Sequence, residues 1–255
     1  MSRLRFAYLG SGSRGNAAVI QAGRTTVMLD CGFSAAEAGR RLERLRLEGT
    51  DVAALVVTHE HGDHISGVAR FARRYGVPVW MTPGTARVAP DLDIPELNLF
   101  SCHEAFAIGD LRLAPAPVPH DAREPCQFVF SDGDRALGIL TDLGHVSRHV
   151  AQAFASCDAL VVECNHDPEL LEQGPYPRSV KTRVGGDLGH LNNGQAAALV
   201  AELDASVLSH LVAVHVSETN NRAELARRAL AAAAGAADTD IDVARQDEGL
   251  DWRSV

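Results

Sequence analysis

Thr58-His59-Glu60-His61-Gly62-Asp63-His64 sets four side chains of metal-ligand type, His59, His61, Asp63 and His64, within six positions. The apolar run before it, residues 52–57, reads as a buried strand, so the cluster falls where a strand ends and a loop can turn side chains toward one point. Histidines two apart share one face of an extended segment. Imidazole together with carboxylate suits Zn, Mn or Fe rather than Ca or Mg alone. A polar loop that carries histidines by chance is a poor account of four such residues directly after a buried strand.

Working outward, residues 4–9, 17–21 and 25–29 read as strands, with a tight turn at Gly23-Arg24. The intervening Gly10-Ser11-Gly12-Ser13-Arg14-Gly15-Asn16 is followed by a strand-like run rather than by a helix that could supply an N-terminal dipole, which argues against a dinucleotide-binding reading. Ser34-Ala35-Ala36-Glu37 has the form of a capping box and predicts a helix to about Leu47. After the cluster come a predicted helix over 65–74, a strand over 77–81 and a short helix after Pro83. Strands with Gly-Asp turns fill 106–143, followed by a helix at 146–155, a buried strand at 159–164, a helix at 195–203 and a strand at 207–216. Asn221-Arg222-Ala223-Glu224 can cap an Ala-rich helix, and the tail from Asp240 adds an edge strand. The order predicts an α/β four-layer αββα sandwich, two mixed sheets face to face with helices outside, as a single domain over 1–255.

A net charge of −9 argues against a chain that coats nucleic acid through overall attraction, while leaving room for a local basic rim. Five cysteines, an odd number with no C-x-x-C pair, point to neither a disulfide framework nor a zinc knuckle, and a reducing cytoplasm fits them best. Apolar runs are strand-sized and the amino terminus carries none of signal-peptide length, so no membrane association is expected, and no protein partner can be inferred.

Three isolated residues each follow a predicted strand: His120 after 111–118, Asp142 after 137–140 and His215 after 207–214. Singly, each reads as an ordinary strand-end residue, and their weight lies in the set. With them the chain resembles the metallo-β-lactamase superfamily over nearly its whole length. The family's H-x-H-x-D-H is matched by His59, His61, Asp63 and His64, and its later His, Asp and final His by His120, Asp142 and His215. The resemblance implies two divalent cations (Zn, Mn or Fe), the first held by His59, His61 and His120, the second by Asp63, His64 and His215, with Asp142 bridging. Two cations roughly 3.5–4 Å apart lower the pKa of a shared water and clamp attacking and leaving oxygens. Asp30, in Leu29-Asp30-Cys31-Gly32, fits the family's first motif, which implies an acceptor that orients the histidine loop. Asp142 stands where the best-known β-lactamases have Cys, a feature shared by thioesterases and nucleases.

Other segments resemble the YycJ (WalJ) subgroup, viewed as DNA exonuclease-like phosphodiesterases: residues 10–16, Glu163-Cys164-Asn165-His166-Asp167, Gly174-Pro175-Tyr176-Pro177, Gly189-His190-Leu191-Asn192-Asn193 and 215–221. Asn192, Leu143 and Val216 depart from its usual Ser, Thr and Leu without touching an implied ligand. The resemblance implies a 5′-exonuclease-like enzyme in which a metal-activated water attacks phosphorus, with Asp63 and either His190 or His166 taking part in catalysis. Arg178, Lys181 (the only lysine) and Arg183 form a cationic loop before His190 that can contact phosphate, with Asn193, Ser11 and Ser13 as further substrate contacts. The competing readings are a thioesterase or small cyclic phosphodiesterase on the same fold, and a metal-binding regulatory protein without turnover.

Overall fold

The computed structural model describes residues 4–89 and 92–255; the start of the amino-terminal segment read above, residues 1–3, lies outside them. One sheet contains β1 (Arg5–Gly10), β2 (Ala17–Ala22), β3 (Thr25–Leu29), β4 (Ala54–Val56), β5 (Val79–Met81), β6 (Leu97–Leu99) and β14 (Leu250–Ser254), in the order β14-β1-β2-β3-β4-β5-β6. The other contains β7 (Phe106–Ile108), β8 (Leu111–Pro117), β9 (Cys126–Ser131), β10 (Ala136–Leu140), β11 (Ala159–Glu163), β12 (His210–Val214) and β13 (Ile241–Val243), in the order β13-β12-β11-β10-β9-β8-β7. Each sheet is antiparallel through its hairpins and parallel beyond β3 or β10. The parallel strands need crossover connections, and the central ones, β4, β11 and β12, are apolar through their middles, as strands covered on both faces must be.

Phe6, Tyr8, Ile20, Leu29, Phe128 and Phe130 fill the space between the sheets. On the outer face of the first sheet lie α1 (Ala35–Arg44) and α3 (Val68–Tyr75), and on that of the second α5 (Arg148–Phe154), α8 (Asn193–Glu202) and α9 (Ala223–Ala234). This is the expected αββα sandwich. Shorter helices are α2 (Gly62–Ile65), α4 (Pro83–Val88), α6 (Pro168–Gln173) and α7 (Arg178–Val184). No helix among the described residues is long and apolar enough to cross a membrane. All five cysteines are free and buried; desolvation pushes the Cys31 and Cys157 thiols up to about 12.

The structure departs from the expected elements where local chemistry overrides periodicity. The helix predicted over 65–74 is broken at Gly67, whose N–H donates to Cys31 O and where a Cβ would stand 1.8 Å from Phe33 O. The first helix stops at Arg44 because Arg46 turns left-handed, at φ 60°. The tail supplies an edge to both sheets, β13 and β14, rather than to one. α9 is not capped by the Asn221 side chain, which is spent on Asn193 and Cys164. The cationic loop before His190 is in fact α7.

The parallel strands place the chemistry. Asp30 follows β3, Thr58 to His64 follow β4, Asp142 follows β10, Glu163 ends β11 and His215 follows β12, all at carboxyl ends, where open α/β sheets leave a crevice. Asp30, Asp142 and His215 take φ values of 59°, 54° and 51°, three of the four positive-φ non-glycine residues among the described residues. Left-handed backbone is strained for such residues and recurs at functional sites, and here it turns three side chains off their strand axes into the same gap.

Candidate metal centre

His59, His64, His120 and His215 are each held through one ring nitrogen and present the other. Thr58 Oγ1 gives its single proton to Asp30 Oδ2 at 2.8 Å, so at 2.9 Å from His59 Nδ1 it accepts, and His59 Nε2 keeps its lone pair. His64 Nδ1 donates to Asp30 Oδ2 at 2.8 Å and His120 Nδ1 to Gly189 O at 3.0 Å. His215 Nδ1 lies 3.0 Å from Asp142 Oδ1 and 3.1 Å from Glu163 Oε1. His61 turns Nε2 toward Asp121 Oδ1, 3.6 Å away, and Nδ1 inward. An imidazole fixed by an acceptor on one nitrogen is the form that ligates metal with the other.

The free atoms have the spacing of a coordination shell. Ligands about 2.1 Å from a tetrahedral ion lie roughly 3.4 Å from one another. His61 Nδ1 is 3.1 Å from His120 Nε2, His64 Nε2 is 3.4 Å from Asp63 Oδ2 and 3.3 Å from Asp142 Oδ2, and His215 Nε2 is 3.6 Å from Asp63 Oδ2. His59, His61 and His120 form one group; Asp142 joins His59 and His64 in a second and Glu163, His190 and His215 in a third. His59 Nε2 is buried with no partner, an omission that costs about 1–3 kcal/mol unless a ligand fills it. These residues therefore fit divalent metal.

The electrostatics agree. Burial, then His64, pushes His59 well below the usual histidine range. Burial is the largest influence on His64 and His215 and opposes their charge, but Asp142 together with Asp30 at His64, and together with Glu163 at His215, outweighs it and lifts both well above that range. In the metal-free chain a proton stands where a cation would sit, so metal uptake releases protons.

Glu163 was not singled out from the sequence as a site residue. Fully buried, it accepts from His190 Nδ1 at 2.9 Å, His215 Nδ1 at 3.1 Å, Leu191 N at 3.0 Å and Leu143 N at 3.3 Å. Its visible signal is a carboxylate ending the otherwise apolar Ala159-Leu160-Val161-Val162. Burial would raise its pKa, but His190 and His215 hold it at about 2, below the usual 4.5. A depressed carboxylate stabilises the fold fully above about pH 4.5 and loses that contribution as pH falls toward 2. Glu163→Gln should flatten the acid limb of urea stability in that window for the metal-free chain, and loosen metal binding by about 10–100-fold. A stability profile and metal affinity equal to those of the original chain would remove this role.

His190, Ser13, Asp63 and Asp142 line one cleft of about 330 Å³, with Arg183 at its rim, where the guanidinium pairs with Asp121. Several expected contacts lie elsewhere. His166 opens to a different cleft, shared with Arg178 and Lys181, because α7 stands between them. Asn193 is buried against Asn221. Ser11 Oγ accepts from His215 N at 2.9 Å, so it holds the backbone of that loop rather than substrate. Asn16 reaches further in, its Nδ2 3.1 Å from Asp63 Oδ2.

The family profile described as "Beta-lactamase superfamily domain" matches residues 25–216. The chain belongs to this superfamily. It is 35% identical over 228 residues to "Exodeoxyribonuclease YycJ" of Bacillus anthracis, covering 88% of this chain and 86% of that one. It is also 30% identical over 251 residues to "Exodeoxyribonuclease WalJ" of Streptococcus pneumoniae serotype 2, covering 95% and 93%. The metallo-beta-lactamase fold protein YhfI from Bacillus subtilis superposes with a TM-score of 0.76 over 99% of this chain and 100% of that one at 14% identity, a likeness of fold. The superfamily chain is thus a hydrolase of metallo-β-lactamase fold related to these two proteins, with His and Asp clusters able to hold metal.

Proposed function

We propose that the chain is a dinuclear metal-dependent phosphodiesterase that removes nucleotides from DNA ends in the cytoplasm. The observation that carries the reading is the clustering of ligand-type atoms in three adjoining groups: His59, His61 and His120; Asp142 with His59 and His64; and Asp142 with Glu163, His190 and His215. His59, His61 and His120 would hold one cation, Asp63, His64 and His215 the other, with Asp142 shared; Zn, Mn and Fe all suit this donor set. Bound there, the two cations would lower the pKa of a shared water and draw charge from the phosphoryl oxygens. The similarity to two exodeoxyribonucleases supports DNA as substrate.

The protein's own groups supply position and protons. Asp30 braces His64 directly and His59 through Thr58. Glu163 fixes His190 and His215 together. With Nδ1 committed to Glu163, His190 has Nε2 to hold a proton for the leaving oxygen. Arg183, parked on Asp121, lies within the rim to meet a phosphate.

End-labelled linear DNA incubated with the Mn- or Zn-loaded chain should be shortened, EDTA should stop the reaction, and an S-acyl glutathione thioester should not turn over. Thioester hydrolysis without DNA cleavage would install the thioesterase reading, and loss of both would favour the non-catalytic one.

A further inference from the structure

None of the seven residues of α7 is buried, and its two sides look into different clefts. Val180, Arg183 and Val184 face the metal cleft, while Arg178, Lys181, Thr182 and Gly185 line a second cleft of about 600 Å³. At roughly 100° per residue the two sets lie on opposite sides of the helix. α7 is a ridge between the clefts. So short a helix with no buried side has little to hold it in place from its own chain.

His166 is walled into the second cleft at 2% exposure. Its Nδ1 is buried with no partner, and its Nε2 faces Gly185, where a Cβ would stand 3.8 Å away. With no acceptor at Nδ1, a neutral ring puts its proton on Nε2, toward the cleft. Asn192 and Thr182 add an amide and a hydroxyl. Lys181 rests on the Glu172 carbonyl, and Arg178 has no carboxylate partner among the described residues. Glu172 is the one acidic side chain on the wall, against two cations. Guanidinium, ammonium, hydroxyl, amide and imidazole N–H together make a donor set for phosphate oxygens, and an occupant of that kind would also cover the bare side of α7.

We propose that this cleft binds a second phosphate of the DNA strand whose scissile phosphate lies in the metal cleft, so that one single strand straddles α7. The proposal rests on the phosphodiesterase reading above. A helix with its side chains is about 10–12 Å across, which a strand rising about 3.4 Å per nucleotide spans in roughly three nucleotides. Single strands shorter than that reach only the metals.

The test compares kcat/KM for a single-stranded DNA 12-mer with that for bis(p-nitrophenyl) phosphate, a diester too small to cross α7, in the metal-loaded full chain. Two variants are read beside the original: the double charge reversal Arg178→Glu with Lys181→Glu, and Gly185→Leu. The latter fills the cleft without changing charge, since Gly185 has φ −88° and its Cβ would meet nothing closer than 3.4 Å. Both variants should lower the ratio of the two kcat/KM values at least about tenfold, and the charge reversal should reduce the salt slope of binding to a phosphorothioate 12-mer by about 1. An unchanged ratio in Gly185→Leu overturns the proposal, even if the charge reversal lowers it, because the effect is then one of overall field. An original chain that hydrolyses the small diester but not the 12-mer overturns it and spares the metal site. One that hydrolyses neither removes the phosphodiesterase reading and the proposal with it.

Discussion

Asp142→Asn is expected to lower kcat for DNA cleavage by roughly 10²–10³-fold or more, the equivalent of several kcal/mol of lost charge stabilisation. Asn keeps the shape of the side chain and tolerates the left-handed backbone that position 142 requires, so the thermal melt should still show a folded chain. What is lost is the carboxylate that sits 3.3 Å from His64 Nε2 and 3.0 Å from His215 Nδ1 and belongs to both the His59 and the His190 groups. Burial opposes ionisation of Asp142, yet His215 and His64 hold its pKa well below the usual range, so it stays charged where a shared ligand must be. A variant that cleaves within tenfold of the original rate would show that Asp142 is not shared between two cations.

His190→Ala should cost about 10²–10⁴-fold on DNA, the usual worth of a positioned general acid, and far less on bis(p-nitrophenyl) phosphate. The contrast follows from the leaving groups: a deoxyribose oxygen needs a proton as it departs, whereas p-nitrophenolate departs without one. His190 is placed to give it because Glu163 holds Nδ1 at 2.9 Å and the ring borders the metal cleft. Equal losses on both substrates would reassign His190 from proton delivery to structural support of the site.

The sandwich and the ligand-type residues were legible in the sequence for one physical reason. Parallel strands buried on both faces read as apolar runs, and a ligand at a carboxyl end comes within two residues of such a run, as at Thr58-His59, Thr141-Asp142 and His215, while His120 follows the antiparallel β8. Asp30 was legible in the same way, and the structure shows it bracing Thr58 and His64. Glu163 escaped because its partners His190 and His215 lie 27 and 52 positions away, a separation no local pattern reports. α7 escaped because Pro177 gives it no side-chain cap, and Val180, Thr182 and Val184 are poor helix formers, so the segment reads as a loop. α6 did carry a start signal, Asp167-Pro168, with the Asp167 carboxylate accepting from Glu169 N and Leu170 N. The missing helix explains the placement: without it, Arg178, Lys181 and Arg183 read as one cationic loop, whereas the ridge of α7 puts Arg183 in one cleft and Arg178 and Lys181, with His166, in another. Asn193 and Ser11 read as free polar groups in sequence but are spent on Asn221 and the His215 backbone.

The central claim is that seven side chains, Asp142 shared among them, hold two cations. Its most direct test is the metal content of the chain by inductively coupled plasma mass spectrometry, after loading with zinc or manganese and exhaustive dialysis. The original chain should retain two metals per polypeptide and Asp142→Asn no more than one; a single metal per polypeptide in the original chain would contradict the account.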